Sequence, residues 1–245
     1  MATGLATSDS FDRAASALSR LRDQRPRVHC LTNYVAMQLS ANLLLAVGAV
    51  PSMTMDATAM PDFVESTASL LVNLGQLDPW RREAAPAAID AATTLQRPWV
   101  LDPVKVDRSG DRRAFAQDLL DRGPAILRCN IAERPFLNAG AQTVVVTTGA
   151  VDRIEQADRL VEIGGGSPLM DRVTAMGCAG SALAAAFLAV EPDPFTAALA
   201  AMLVMKVAGS RAAERALGPG SFQPAFLDAV YALEPASLQA EGLVR

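Results

Sequence analysis

The sequence predicts an α/β fold, with a mainly parallel sheet and helices on both faces. Three observations carry that reading. Short apolar runs of strand length alternate with stretches whose apolar residues recur at helical spacing. Several of those runs close on a polar residue or on glycine, as strands do. The last third of the chain holds two Ala-rich stretches that are apolar nearly all round, as in helices buried in a core or a subunit interface.

The elements follow in order. Phe11, Ala15, Leu18 and Leu21 give an amphipathic helix over residues 8–23, which Pro26 ends. Val35, Leu39, Leu43 and Val47 repeat the pattern over 34–47, and Gly48 stops it. Ser69–Asn73 is a buried strand closed by Gly75. A helix over 79–95 leads to a strand over 98–101, then Asp102 and Pro103. A helix over 112–121 leads to a strand over 125–127, followed by Arg128, Cys129 and Asn130. Residues 143–147 are β-branched and form a further strand, ending at Gly149. Gly164, Gly165 and Gly166 mark a turn between two strands. A strand-like stretch then enters the helices over 177–190 and 195–216. No repeat or linker divides the chain, so residues 1–245 are read as one domain.

Composition narrows the class. Of 245 residues, 51% are apolar and 20% charged, which is ordinary globular usage. The net charge of −4 offers no cationic excess for a phosphate backbone, so nucleic acid is not an expected partner. The longest unbroken apolar run, residues 197–205, is well short of the roughly 20 residues a membrane span needs. Residues 1–13 lack the basic and apolar regions of a signal peptide. Cys30, Cys129 and Cys178 are few and far apart, unlike a disulfide framework or a zinc site, so a reducing cytoplasm is expected.

Standard nucleotide signatures are missing: there is no phosphate-binding loop ending in Gly-Lys-Ser/Thr and no Gly-x-Gly-x-x-Gly. The single histidine, His29, lies in an apolar stretch and reads as a hydrogen-bonded core residue. More informative are the strand ends. Asn73, Asp102, Asn130 and Thr148 each close an apolar run. One such residue is an ordinary strand stop; four together point to a site beyond the carboxyl ends of a parallel sheet. Residues 173–181 enter an Ala-rich helix through Ala175, Gly177, Cys178 and Gly180. Small residues at a helix start let backbone N–H groups approach an anion. A thiol there is expected to have a lowered pKa, although the spacing alone fits a buried structural cysteine equally well.

Several blocks together resemble one family. They are Val28 to Val35 with Ala41 to Met53, Leu71 to Gly75, Leu101 to Val104, Arg128 to Glu133, Val146 to Asp152, the turn from Thr174 to Cys178, and Gly218 to Phe222. In this order they are similar to hydroxyethylthiazole kinase, of the ribokinase-like superfamily. The resemblance implies a ribokinase-like three-layer sandwich. It implies transfer of the ATP γ-phosphate to the hydroxyl of 4-methyl-5-(2-hydroxyethyl)thiazole in thiamine salvage, with Mg²⁺. It also implies a homotrimer with active sites at subunit interfaces. By the same resemblance Met53, Asn33 and Ala175 meet the thiazole, Arg128 and Thr148 bind ATP, and Asp102 and Glu133 serve the metal. Cys178 and Gly177 then form the catalytic turn, Cys178 standing where most of the superfamily has an aspartate base.

The match departs from the family at three places. Ala175 and Met176 replace a Gly-x pair in the anion-binding turn, so a positive φ at 175 would be costly. Lys105 to Gly110 replace a glycine-rich loop; Lys105 or Arg108 could take over phosphate contacts there, although the charges read first as solvated surface. The segment between Glu133 and Thr143 is short, where the family carries a further helical segment. These departures fall on the phosphate side. Two other readings therefore stand beside the kinase: a degenerate paralogue that binds a thiazole without turning over ATP, and a ribokinase-like kinase of another small alcohol.

Overall fold

The computed structural model describes residues 8–239, so most of the N-terminal segment judged above for a signal peptide lies outside the described residues. One eight-stranded sheet organises it, in the order β2-β1-β3-β4-β5-β6-β7-β8. The strands are β1 (Arg27–Leu31), β2 (Val50–Ser52), β3 (Ser69–Asn73), β4 (Trp99–Asp102), β5 (Ile126–Asn130), β6 (Val144–Thr148), β7 (Asp152–Gln156) and β8 (Arg159–Ile163). Pairings from β2 through β6 are parallel, whereas β7 and β8 join antiparallel. The helices are α1 (Ser8–Gln24), α2 (Met37–Val47), α3 (Met60–Glu65), α4 (Pro79–Thr94), α5 (Gly110–Leu120), α6 (Met176–Leu188), α7 (Pro194–Ala213) and α8 (Pro219–Tyr231).

The apolar runs fold as they do because both faces of the sheet are covered. Alternate strand residues feed two separate cores. Leu71, Val100, Ile126 and Val146 pack with α1, α2, α6, α7 and α8. Leu70, Val72, Leu101 and Leu127 pack on the other face with α3, α4 and α5. The expected three-layer sandwich is thus present. The Ala-rich helices are buried nearly all round, which lets backbones pack closely in the layer carrying α6 and α7. By length and composition α7 could cross a membrane, but 89% of its apolar window is buried inside the molecule, so it is a core helix.

Several boundaries differ from the sequence reading. The second helix begins at Met37, because the Asn33 side chain and carbonyl hold residues 34–36 in a turn. The fifth strand runs on through Arg128 and Cys129 to Asn130. β1 and β2 have too little alternation to stand out, and α3 is a short helix with Pro in its first turn. The stretch before α6 is a 3-10 turn, Pro168–Arg172, rather than a strand. The three glycines do not join two strands. They leave β8 for that turn, with Gly166 at φ +79 and its N–H bound to Ser210 Oγ at 3.0 Å. The tight turn between strands lies earlier, between β7 and β8, with Ala157 at φ +51. In the short segment after Glu133 there is only a 3-10 turn, Arg134–Phe136.

Topology places the functional edge. From β1 the chain steps outward to β2, then returns past β1 to build β3 through β6 on the other side. The order therefore reverses between β1 and β3, the place beside which open parallel sheets offer a site beyond the carboxyl ends of their strands.

At the opposite end Asp193 caps α7, accepting from the Thr196 N–H and from both Nη atoms of Arg159 at 2.8–2.9 Å. Arg159 holds this carboxyl well below the usual carboxylate range. A depressed folded pKa contributes stability above the unfolded value of about 3.9 and loses it as pH falls. Asp193→Asn, which keeps a capping oxygen, should melt below the wild type at pH 7. The gap should hold down to about 4 and close only as the pH falls from there toward the depressed folded value, as scanning calorimetry would record.

Candidate active site

The carboxyl ends of β3 to β6 form one polar edge. Sheet register sets Asn73 beside Asp102 and Asn130 beside Thr148. A cavity of about 610 Å³ opens above them, lined by Asp102, Arg128, Glu133, Thr148, Ala175, Gly177 and Cys178 among others. Seven of the nine candidate residues thus share one wall system. Asn33 reaches the cavity by donating to Cys178 Sγ at 3.5 Å. Met53 follows β2, packs against the α6-side core and does not line the cavity.

A buried polar chain crosses the crevice. Asn33 donates to Asn73 Oδ1 at 2.9 Å, and Asn73 donates to Asp102 Oδ2 at 2.7 Å. Ser181, one turn along α6 from Cys178, donates to the same Oδ2 at 2.7 Å. Gly75 permits the Asn33 approach, since a Cβ there would lie 2.4 Å from Asn33 Nδ2. Burial raises the Asp102 pKa, the positive charge of Arg128 and the Ser181 hydrogen bond opposing it.

The α6 start fits an anion site less simply than its sequence suggests. Ala175 sits at φ +65, the left-handed region that an L residue enters at a cost. Gly177 is small for a definite reason. The Arg128 guanidinium lies against it, and a Cβ at 177 would come within 3.3 Å of Nη1. The expected lowering of the Cys178 pKa is not found. Burial, reinforced by the Asp102 carboxylate, pushes this thiol up to about 11. Desolvation outweighs the helix dipole, so Cys178 is a neutral thiol near pH 7.

Glu133 is committed to backbone. Oε1 accepts from the Lys105 N–H at 2.7 Å and Oε2 from the Asn130 N–H at 3.0 Å. On Asp102 the hydrogen bonds fall on Oδ2, leaving Oδ1 for a further ligand. Among the described residues no group of three or more His, Cys, Asp or Glu converges. Mg²⁺ commonly takes one or two carboxylates with phosphate oxygens and water. The donors here fit such an ion through Asp102, with Glu133 acting from behind its backbone contacts.

The sequence reading missed two contributors. Ser181 was detectable as the polar residue sharing a helix face with Cys178. Lys206 is the one charge within the apolar body of α7. It lies 3.1 Å from Asp152, donates to the Gly149 and Ala150 carbonyls, and fixes the turn after β6. Conversely His29, with Nδ1 at 3.1 Å from Ser52 Oγ, is fully buried away from the cavity, and burial lowers its pKa to about 4.

Two substitutions test these forces. Ala175→Gly removes the left-handed penalty and should stabilise the protein by about 1 kcal/mol, raising the melting temperature by roughly 2–4 °C. Asp102→Asn removes a desolvated charge while keeping an acceptor for Asn73 and Ser181. A raised folded pKa makes wild-type stability fall as pH rises from the unfolded value through the folded one. The Asn variant should therefore gain on the wild type across that window and hold the advantage at neutral pH. Melting curves over a pH series would check it.

Known proteins place this arrangement. The hydroxyethylthiazole kinase family model matches residues 18–139 and 136–236. A probable hydroxyethylthiazole kinase of Agrobacterium fabrum is 44% identical over 218 residues, 89% of each chain. The hydroxyethylthiazole kinase of Serratia proteamaculans is 41% identical over 96% of this chain and all of its own. The solved structure of the Pyrococcus horikoshii hydroxyethylthiazole kinase protein superposes with a TM-score of 0.87 at 31% identity, over 95% of this chain and 98% of that one. The fold is also that of a Staphylococcus aureus pyridoxal kinase, at a TM-score of 0.60 and 14% identity. The chain belongs to the hydroxyethylthiazole kinase family.

Proposed function

We propose that this protein transfers the γ-phosphoryl group of ATP to the hydroxyl of 4-methyl-5-(2-hydroxyethyl)thiazole, residues 1–245 acting as one kinase domain. The observation that carries the reading is the meeting of Asn33, Asn73, Asp102 and Cys178 at the start of α6, beside Arg128. That meeting joins a buried polar pocket for an alcohol to an anion site.

In the reaction a bond forms between the substrate hydroxyl oxygen and the γ-phosphorus. The bond from that phosphorus to the β–γ bridging oxygen breaks, and ADP leaves with the electron pair. Such transfer depends mainly on positioning and charge stabilisation. Arg128 supplies a planar fork for phosphate oxygens. The N–H groups at residues 175–178 face the transferred group as charge builds. Thr148 and the Lys206-braced turn support the nucleotide side. Mg²⁺, held through Asp102 and aided by Glu133, would neutralise phosphate charge. Cys178, a neutral thiol, orients the hydroxyl rather than removing its proton. The proton departs late, to a phosphoryl oxygen or water. Met53, outside the cavity of one chain, meets the thiazole in a homotrimer whose sites lie between subunits.

One observation favours a second reading. Ala175 at φ +65 and Val104 and Lys105 at φ +37 and +64 are strained non-glycine positions around the phosphate side. They suit a paralogue that binds a thiazole without efficient turnover.

Purified protein with Mg-ATP and hydroxyethylthiazole should yield phosphorylated thiazole by mass spectrometry, and Asp102→Ala should abolish it. Thiazole binding without product or Mg-ATP binding would favour the paralogue. Cys178→Ala should lower kcat by less than about 100-fold, below the usual contribution of a general base, and leave the pH–rate profile unshifted. A larger loss with an altered profile would restore the thiol as a base.

A further inference from the structure

We propose that Lys105 is a phosphate-binding residue of this site, a cation that a strained turn places against the nucleotide phosphates. The inference rests on the kinase reading above and assigns that site a further residue.

Two successive L residues, Val104 at φ +37 and Lys105 at φ +64, occupy the left-handed region directly after Asp102 and Pro103. A β-branched residue there is an outlier, and such backbone persists only where its surroundings over-determine it. Here they do. The Lys105 N–H donates to Glu133 Oε1 at 2.7 Å. The Val104 carbonyl accepts from Arg112 Nη2 at 2.8 Å and Nε at 3.3 Å, and the same Arg112 also reaches the Leu74 carbonyl. Val106, fully buried, anchors the far side of the turn. A lysine serving only solubility needs no such support.

The result is that Lys105 lines the cavity together with Asp102, Arg128 and Glu133. Its backbone, not its ammonium, satisfies Glu133. Charge accounting gives the side chain its task. Of the cavity's other cations, Lys206 is committed to Asp152 and two carbonyls, while Arg128 lies against Gly177 and Gly180. Among the described residues no carboxylate forms an ion pair with Lys105. A magnesium-bound triphosphate keeps about two negative charges, more than Arg128 alone balances.

Lys105→Gly separates charge from backbone. Glycine takes the positive φ freely, so the variant should melt at or above the wild type. It should nevertheless lose tenfold or more in kcat/KM for ATP, with KM for the thiazole unchanged. Lys105→Arg should retain most of the activity. Calorimetric titration with ATP, without thiazole, should show weaker binding to Lys105→Gly, by a margin that narrows as salt is raised. Wild-type ATP affinity or turnover in Lys105→Gly would overturn the proposal and leave an ordinary surface lysine. Should the wild type itself transfer no phosphate, the kinase reading fails separately, and the ATP titration decides the role of Lys105. Equal affinities, or no binding by either protein, would then refute it.

Discussion

A carboxylate taken out of water at the sheet's polar edge is the constraint on which the rest of the site depends. Asp102 is 3% exposed, and an unpaired charge so placed is expensive. The surroundings answer that cost in a fixed geometry. Asn73 and Ser181 donate to one oxygen, and Arg128 sets its positive charge nearby. Asn73 can do so only because its own oxygen is satisfied by Asn33 and by the Gly75 N–H. The chain of bonds therefore ties β3, β4, the turn after β1 and the first turns of α6 into one unit. A partly satisfied network would be worse than an apolar core, so these positions are coupled more tightly than their spacing in sequence suggests.

Strain surrounds that unit. Val104, Lys105 and Ala175 all hold positive φ, and all lie on the cavity wall. Elsewhere in the fold, residues such as Gln76 and Gln96 take the same conformation in loops. At 104 and 105 two consecutive residues are braced by separate side chains. Glu133 gives one oxygen to the Lys105 N–H and the other to the Asn130 N–H, and Arg112 donates through two nitrogens to the Val104 carbonyl. Stability is given up in the turn so that one wall of the cavity keeps its shape, the usual pattern at sites that need preorganisation.

How much of this was legible in the sequence depends on whether the signal was local. The central strands were legible because burial on both faces leaves an unbroken apolar run, as in β3. The strand-end residues were legible for the same reason, since a polar residue ends the run. The edge strand β2, its neighbour β1 and the hairpin of β7 and β8 were not. β2 has only three residues, and β7 and β8 mix charged and apolar residues as half-exposed strands do. Within the site, the cluster Asp102, Arg128, Cys178 and Glu133 was legible through motif resemblance. The state of the Cys178 thiol was not, because helix position predicts one direction and burial beside Asp102 imposes the other. Lys206 and Asp152 find each other across 54 positions of sequence, and no local pattern announces such a pair.

The altered turn at α6 shows which features of a site tolerate substitution. Two demands meet there, and they differ in kind. Gly177 and Gly180 give room to the Arg128 guanidinium, whose atoms would lie 3.3 Å and 3.6 Å from a Cβ at those positions. That demand is steric and is the stronger at 177, where a Cβ would press on the guanidinium; at 180 it would only touch it. Ala175 meets only a demand on φ, which an L residue can satisfy at a modest energetic cost. Its methyl group adds bulk without removing an N–H donor. Position 175 thus keeps its backbone N–H whatever its side chain, whereas added bulk at 177 would reach Arg128. The tighter constraint in the turn therefore falls on 177, beside the guanidinium, and the looser one on 175, where only φ is demanding.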